Sequence, residues 1–150
     1  MIPNVTLRHK VWRALNTDEV AEPNAFAAQA AIAAFTKGDA WLDELRQYIF
    51  ENKKRTAEFV KEKIPQLKVV PSSATYLLWL DCSGMIGSAT EASEYIRNKT
   101  GLYLSDGSQF GDDDKFMRLN IACPRSALED GLTRLQKGIM SYEEFVLNRC

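Results

Sequence analysis

Several features that mark common protein classes are missing from this sequence, and each absence excludes a function. No apolar run approaches the ~20 residues that a helix needs to cross a bilayer, so we expect no membrane partner. Nineteen basic and 20 acidic residues give a formal charge of −1. No basic segment is interleaved with aromatic residues, which argues against a nucleic-acid partner. With one histidine and no close Cys/His cluster, the sequence predicts no metal site.

Cysteine is also scarce. The three cysteines, Cys82, Cys123 and Cys150, are odd in number and widely spaced. They are therefore predicted to be free thiols in a reducing compartment, the cytoplasm. The first residues, Met1 to Asn4, have neither the basic nor the apolar region of a signal peptide. The acidic run Asp112–Asp114 is predicted to be a solvated turn.

The first part of the chain is predicted to be wholly helical. Apolar spacing indicates helices at 6–16, 25–37 and about 40–63. Asn24 and Asp39 are the expected caps of the second and third helices, with a polar loop over Asn16–Pro23. The third helix is expected to bury a stripe made of Trp41, Leu45, Tyr48, Ile49, Asn52, Thr56, Phe59 and Val60. It would be ~36 Å long at about 1.5 Å per residue, long enough to connect two domains.

The second part is predicted to have the order β-β-α-β-β-α, an α+β fold with an open sheet packed with helices. The expected strands are 67–70, 75–80, 102–104 and 116–121, the second of them buried on both faces. The expected helices are 91–99, capped by Thr90, and 126–138, started by the capping box Ser126 to Glu129. A second such box, Ser141 to Glu144, predicts a separate last helix.

One arginine on the last predicted strand is the main candidate for a functional residue. Along 116–121 the residues alternate, so Met117, Leu119 and Ile121 share one face and Arg118 shares the other with Asn120. A guanidinium held on rigid backbone, away from the apolar layer, suits a carboxylate because its planar fork matches two oxygens. Two other interpretations stay open: an internal ion pair, or a solvated arginine on an open sheet face.

Three ordered segments carry a resemblance to a known family. They are Ala74–Asp81, Gly101–Gly111 and Phe116–Arg125, supported upstream by Asn24-Ala-Phe and by Trp41-Leu-Asp-Glu-Leu. Together they resemble the C-terminal part of fold-type I PLP-dependent enzymes of the class I/II aminotransferase family. Within that family the resemblance is to the cystathionine β-lyase-like C–S lyases. Asp106 departs from the pattern, because many relatives carry proline there.

The resemblance implies three parts: a helical remnant of the large PLP-binding domain at 1–38, a long interdomain helix at 39–66, and the small C-terminal α+β domain at 67–150. It implies that Arg118 binds the α-carboxylate of an amino-acid substrate, with Asn120 and Tyr76 as further substrate-binding candidates. It also implies that 105–111 lines the mouth of the active site and that the loop near Asn16–Asn24 lies by the dimer interface and the cofactor phosphate.

The lysine that holds pyridoxal 5'-phosphate in this family has no matching motif in this chain. The resemblance therefore implies no catalytic and no cofactor-binding residue here, and an inactive chain on its own. The parent is expected to be a homodimeric C–S lyase or aminotransferase completed by an N-terminal PLP-binding domain. Two alternatives stay open: a non-catalytic, stand-alone α+β module that binds a small carboxylate or a protein, and a degenerate enzyme that regulates an active relative.

Overall fold

The computed structural model describes residues 2–17, 23–111 and 114–149. The chain divides into two compact units, Met1–Glu44 and Leu45–Cys150. The predicted loop over Asn16–Pro23, the acidic run Asp112–Asp114 and the thiol of Cys150 fall wholly or partly outside the described residues. The division into parts at residues 38 and 66 concerns a larger parent and stays a prediction.

The first unit is helical. It contains α1 (Val5–Thr17) and α2 (Ala27–Lys37), and every residue of both is exposed or half-buried. The second helix begins two residues later than predicted, because Asn24 caps a preceding turn: its Oδ1 accepts a hydrogen bond from the Phe26 amide at 3.0 Å. Helix α2 ends at Lys37, as predicted, and the Gly38 amide donates to the Ala34 carbonyl at 3.1 Å.

The long helix α3 runs over Asp39–Lys63, close to its predicted bounds. Asn52, Thr56 and Val60 are its buried residues, as the predicted stripe requires. The stripe is wrong at its beginning, since Trp41 is 66% exposed and Tyr48 is 41% exposed. The Tyr48 hydroxyl instead accepts a hydrogen bond from the Arg125 amide at 2.7 Å, which leaves one side of its ring in solvent.

Within the described residues, four strands form one antiparallel sheet in the order β1-β2-β4-β3. They are β1 (Lys68–Val69), β2 (Leu77–Asp81), β3 (Ser105–Asp106) and β4 (Phe116–Asn120). The predicted element order is confirmed, and so is the alternation along β4, where Met117 and Leu119 are buried. Burial on both faces of β2 was wrong, because its residues alternate between buried and half-buried.

Two elements between β2 and β4 differ from the prediction. Helix α4 (Ala89–Thr100) begins two residues earlier than expected, because Ser88 rather than Thr90 is the cap: the Ser88 side chain accepts from the Glu91 amide. The third strand forms at Ser105–Asp106 and not at 102–104. Residues 102–104 instead follow the left-handed Gly101 as irregular chain, and Leu104 is buried in the core.

The last helix, α5, is one element over Arg125–Leu147. Neither predicted capping box operates. Pro124 occupies the cap position without a side-chain cap bond, and Glu129 pairs with Arg55 instead. No second helix begins at Ser141, because the buried 3.6-residue stripe continues through that point, over Leu128, Leu132, Leu135, Gly138, Ile139 and Tyr142.

The core lies on one face of the sheet. Leu78 and Leu80 of β2 and Met117 of β4 are fully buried against side chains of α4, α5 and the end of α3. This layer of helices on one face of an antiparallel sheet is the predicted α+β architecture. Among the described residues, no helix has the length and apolar character of a membrane span.

Candidate functional site

The second face of the sheet is the candidate site. In the antiparallel register, Trp79 is paired with Arg118, Leu77 with Asn120, and Asp81 with Phe116. Directly opposite residues project to the same face of a sheet, so these six side chains share the surface that the core helices leave open. All are half-buried except Asn120, which is exposed.

Arg118 lies in the middle of this face, between two partners from the preceding loop. It is paired across the sheet with Ser105, and one of its terminal nitrogens, Nη2, donates to Ser105 Oγ over a long 3.4 Å. Its Cζ lies 4.3 Å from the centre of the Phe110 ring. In the described ranges 2–17, 23–111 and 114–149, Arg118 forms no ion pair with an aspartate or glutamate.

The loop that carries Ser105 and Phe110 has an internal support. After β3 it forms a 3₁₀ turn, Gly107–Phe110, and ends at Gly111 with φ of 84°. The Asp106 carboxylate accepts hydrogen bonds from the Ser108 hydroxyl and from Gln109 Nε2 at 2.7 Å. These two donors hold the pKa of Asp106 below its ordinary value. The Asp106 carboxylate is therefore engaged within its own loop and not with Arg118.

An aromatic cavity adjoins the arginine. It has a volume of about 330 Å³ and is lined by Val70, Trp79, Phe110, Gly111 and Phe116. The Trp79 ring stands edge-on to both phenylalanine rings, with centroid distances of 5.4 Å to Phe110 and 6.2 Å to Phe116. Phe110 thus touches the guanidinium and also forms a wall of the cavity. Trp79 is therefore a wall residue of the cavity.

The other two predicted substrate-binding residues lie differently. Asn120 shares the face of Arg118, but its Oδ1 accepts from the Ala122 amide at 2.9 Å, a local turn that ends β4. Tyr76 precedes β2 and is 45% exposed, and its carbonyl accepts from the Ile121 amide at 3.0 Å. Among the described contacts, none joins the Tyr76 side chain to Arg118 or Asn120. The substrate-binding roles of all three remain predictions.

The strand that carries Arg118 is tied to α3 immediately after it ends. Asn52 is fully buried, and its Nδ2 donates to the carbonyls of Ile121 and Cys123 at 2.9 and 3.1 Å. Tyr48 adds the bond to the Arg125 amide. Sequence analysis placed Asn52 on the buried stripe without assigning it a partner. An amide within an apolar stripe is itself a signal, since buried polar groups need hydrogen bonds.

The cysteines and the acidic groups offer little chemistry. Cys82 is buried and Cys123 half-buried, and neither forms a disulfide within the described residues. Burial raises the pKa of Cys123, which disfavours the thiolate. In the part of the chain that the structure describes, no three His, Cys, Asp or Glu side chains are grouped so that they could hold a metal ion. The open face with its one arginine remains the best-defined candidate.

These observations define a small α+β domain whose half-covered sheet presents a positioned cation beside an aromatic cavity. The chain belongs to the aminotransferase class I and II family, whose model matches residues 13–135. This confirms the resemblance deduced from the three sequence segments.

Three relatives illustrate the similarity. The chain is 35% identical to the cystathionine beta-lyase PatB of Bacillus subtilis, over 93% of this chain and 36% of that protein. It matches the PLP-bound C–S lyase of Staphylococcus hominis with a TM-score of 0.74 and 25% identity, over 93% of this chain and 36% of that one. Cystalysin of Treponema denticola, with a TM-score of 0.84 and 23% identity over 95% and 36% of the two chains, shows the common fold.

The chain spans about a third of the length of these relatives, 36% of the PatB protein, and corresponds to their C-terminal part. The predicted fold class, the small C-terminal domain of this family, is confirmed by the two structural matches.

Proposed function

We propose that this chain is the C-terminal part of a PLP-dependent enzyme that acts on amino acids, as a C–S lyase or an aminotransferase. Within it, Arg118 is the receptor for the substrate's α-carboxylate. The observation that carries the proposal is the environment of Arg118. Arg118 is half-buried and held on the central strand pair. Its guanidinium lies over an aromatic ring and forms no ion pair with any acid in the described residues.

A half-buried guanidinium without a counter-ion is partly desolvated. A carboxylate ligand that forms two parallel N–H···O bonds with it offsets that cost. The fork also fixes the orientation of the bound acid, since two bonds define a plane where one bond defines only a direction. Arg118 therefore holds and orients a substrate, which is a binding role and not a proton-transfer role.

The described residues do not fit a complete site for pyridoxal phosphate. The cofactor requires a lysine for its aldehyde and a partner for its ring nitrogen. Within the described part of the chain, the lining of the aromatic cavity includes neither a lysine nor an acid. Lys53 is engaged elsewhere, with its Nζ donating to the carbonyls of Ser72 and Ala74 at 2.9 and 3.4 Å. In the proposed enzyme, polypeptide outside this chain supplies the cofactor's reactive contacts.

The first unit supports the proposal that the parent contains further polypeptide, an N-terminal domain and a second copy. Its helices expose several large apolar side chains, among them Trp12, Ile32 and Phe35, which are 60%, 62% and 87% exposed. An alanine-rich helix such as α2 suits close packing against neighbours on more than one side. Such surfaces are typical of interfaces, because exposed apolar patches are otherwise costly in water.

The test is substrate kinetics of the parent enzyme with Arg118→Lys and Arg118→Ala. Losing the partner of a buried ionic pair costs about 2–5 kcal/mol, so we expect Arg118→Ala to lower kcat/KM for the amino acid roughly 30-fold or more. Arg118→Lys keeps the charge but loses the fork, and a substantial loss should remain. Arg97→Lys is the matched control, since the Arg97 Cζ also lies over an aromatic ring, that of Tyr103, at 5.3 Å, but Arg97 is on the exposed side of α4.

Unchanged kcat/KM in Arg118→Lys and Arg118→Ala, with the control also unchanged, would contradict the carboxylate-binding role. Equal losses in Arg118→Lys and Arg97→Lys would show that the change acts on the fold and would count equally against it.

A further inference from the structure

We infer that Phe110 is a positioning residue for Arg118: its ring holds the guanidinium plane so that the edge of the fork is available to the incoming carboxylate. This inference rests on the proposed function and adds to it a residue that neither the sequence motifs nor the family match assigns. It is carried by the position of the Arg118 guanidinium over the Phe110 ring, with 4.3 Å between Cζ and the ring centre.

The geometry of the two interactions makes them compatible. A guanidinium stacks on a ring through its flat face, whereas it binds a carboxylate through N–H groups that lie in its plane. Stacking therefore orients the group without using its donors. An acidic partner would do the opposite, because it would occupy the same edge as the substrate. In the described residues the contacts of Arg118 are the ring and the long bond from Nη2 to Ser105 Oγ.

The ring itself is held from two sides. Trp79, the cross-strand partner of Arg118, meets Phe110 edge-to-face at 5.4 Å. On the loop side, the 3₁₀ turn that ends at Phe110 is closed by Gly111, whose amide donates to the Ser108 carbonyl at 3.3 Å, and by the carboxylate of Asp106. Phe110 thus contacts both members of the cross-strand pair Trp79 and Arg118.

The experiment is to measure, in the parent enzyme, inhibition by an amino acid and by the amine that lacks its carboxylate. The ratio of the two inhibition constants isolates carboxylate recognition. Stacking contributes modestly at half-exposed sites, so Phe110→Leu should weaken binding of the acid roughly 3- to 10-fold and leave the amine unchanged. Phe110→Tyr keeps an aromatic face and should keep the ratio of the unsubstituted enzyme. In Phe110→Leu, KM for the amino acid should rise while kcat stays nearly constant.

The matched control is Tyr103→Leu, which removes the ring under Arg97 at a residue 59% exposed; we expect no change in the ratio. If Arg118→Lys reduces carboxylate recognition but Phe110→Leu does not, the inference about Phe110 is wrong and the proposed function stands. If neither variant alters the ratio, the proposed function itself is wrong. Equal weakening of acid and amine by Phe110→Leu would show a general packing effect and would also overturn the positioning role.

Discussion

Replacement of Asn52 should have the largest effect on stability among the polar residues of the second unit. The amide is fully buried and donates to the carbonyls of Ile121 and Cys123. Each such bond contributes about 0.5–1.5 kcal/mol net, and each buried acceptor left without a donor costs about 1–3 kcal/mol. The Asn52 Oδ1 atom has no partner within the described residues, so its removal offsets part of that loss. We expect Asn52→Ala to lower the free energy of unfolding by about 2 kcal/mol.

Asn52→Asp is a sharper variant, because it keeps the shape and removes the donors. A carboxylate would face two carbonyl oxygens in a buried site, so the folded state raises the pKa of the new acid above its unfolded value of about 3.9. A raised carboxyl pKa means that the folded state favours the proton. The variant should therefore be most stable below about pH 4 and lose stability as pH rises from there through the folded-state pKa.

Urea unfolding followed by tryptophan fluorescence measures both effects. Trp12 and Trp41 are 60% and 66% exposed, so changing both to phenylalanine leaves Trp79 as the reporter of the second unit. Asn98→Ala and Asn98→Asp are matched controls, since Asn98 is exposed on α4. The reasoning is refuted if Asn52→Ala stays within about 0.5 kcal/mol of its control, the range of ordinary surface substitutions. It is also refuted if Asn52→Asp shows no more pH dependence than Asn98→Asp.

Two further predictions concern packing and charge. In Gly138→Ala, the new Cβ would lie 2.8 and 3.0 Å from Ile96 Cγ1 and Cγ2; we expect a loss of about 1–2 kcal/mol in urea unfolding despite the better helix propensity. The double variant Gly138→Ala/Ile96→Ala should lose less free energy of unfolding than the sum of the two single variants. Strict additivity would contradict the clash. Carboxyl NMR should give Asp106 a midpoint below the ordinary value of an aspartate, since hydrogen bonds from Ser108 and Gln109 lower its pKa. The stability that this carboxylate adds is present above the unfolded pKa and lost as pH falls through the folded one; Ser108→Ala should raise the midpoint, and an unchanged midpoint would contradict the assignment.

Local sequence signals predicted the elements well where one physical cause dominated. The alternation along Phe116–Asn120 and the end of the second helix at residue 37 correspond to the observed elements. The capping boxes misled, because a Ser-x-x-Glu pattern stabilises a helix start only where the preceding chain is not already helical. At Ser141 the core stripe of α5 continues through Tyr142, and burial of that stripe outweighs a cap.

The set of residues that form the site was harder to predict, because it depends on strand register and on loop geometry. Trp79 faces Arg118 only in the observed register; a slip of one residue would bring Leu78 or Leu80 opposite the arginine. Phe110 reaches the guanidinium from a turn that ends in a left-handed glycine, Gly111. Neither the register nor this contact follows from the residues of either segment alone.

The two-residue alternation of side chains along a strand assigns Tyr76 and Trp79 to opposite faces of the sheet. Side chains two residues apart along a strand share a face, so the alternation that puts Leu78 and Leu80 in the core gives Tyr76 their parity and Trp79 the other. Applied from β4 to β2, the rule that selected Arg118 would have favoured Trp79 over Tyr76 as its neighbour. The observed pairing of Trp79 with Arg118 agrees with that parity, because directly opposite residues of an antiparallel pair must share a face. The face on which Trp79 lies was therefore within reach of sequence reasoning once two buried residues of β2 had been identified, whereas its register opposite Arg118 and the contact with Phe110 were not.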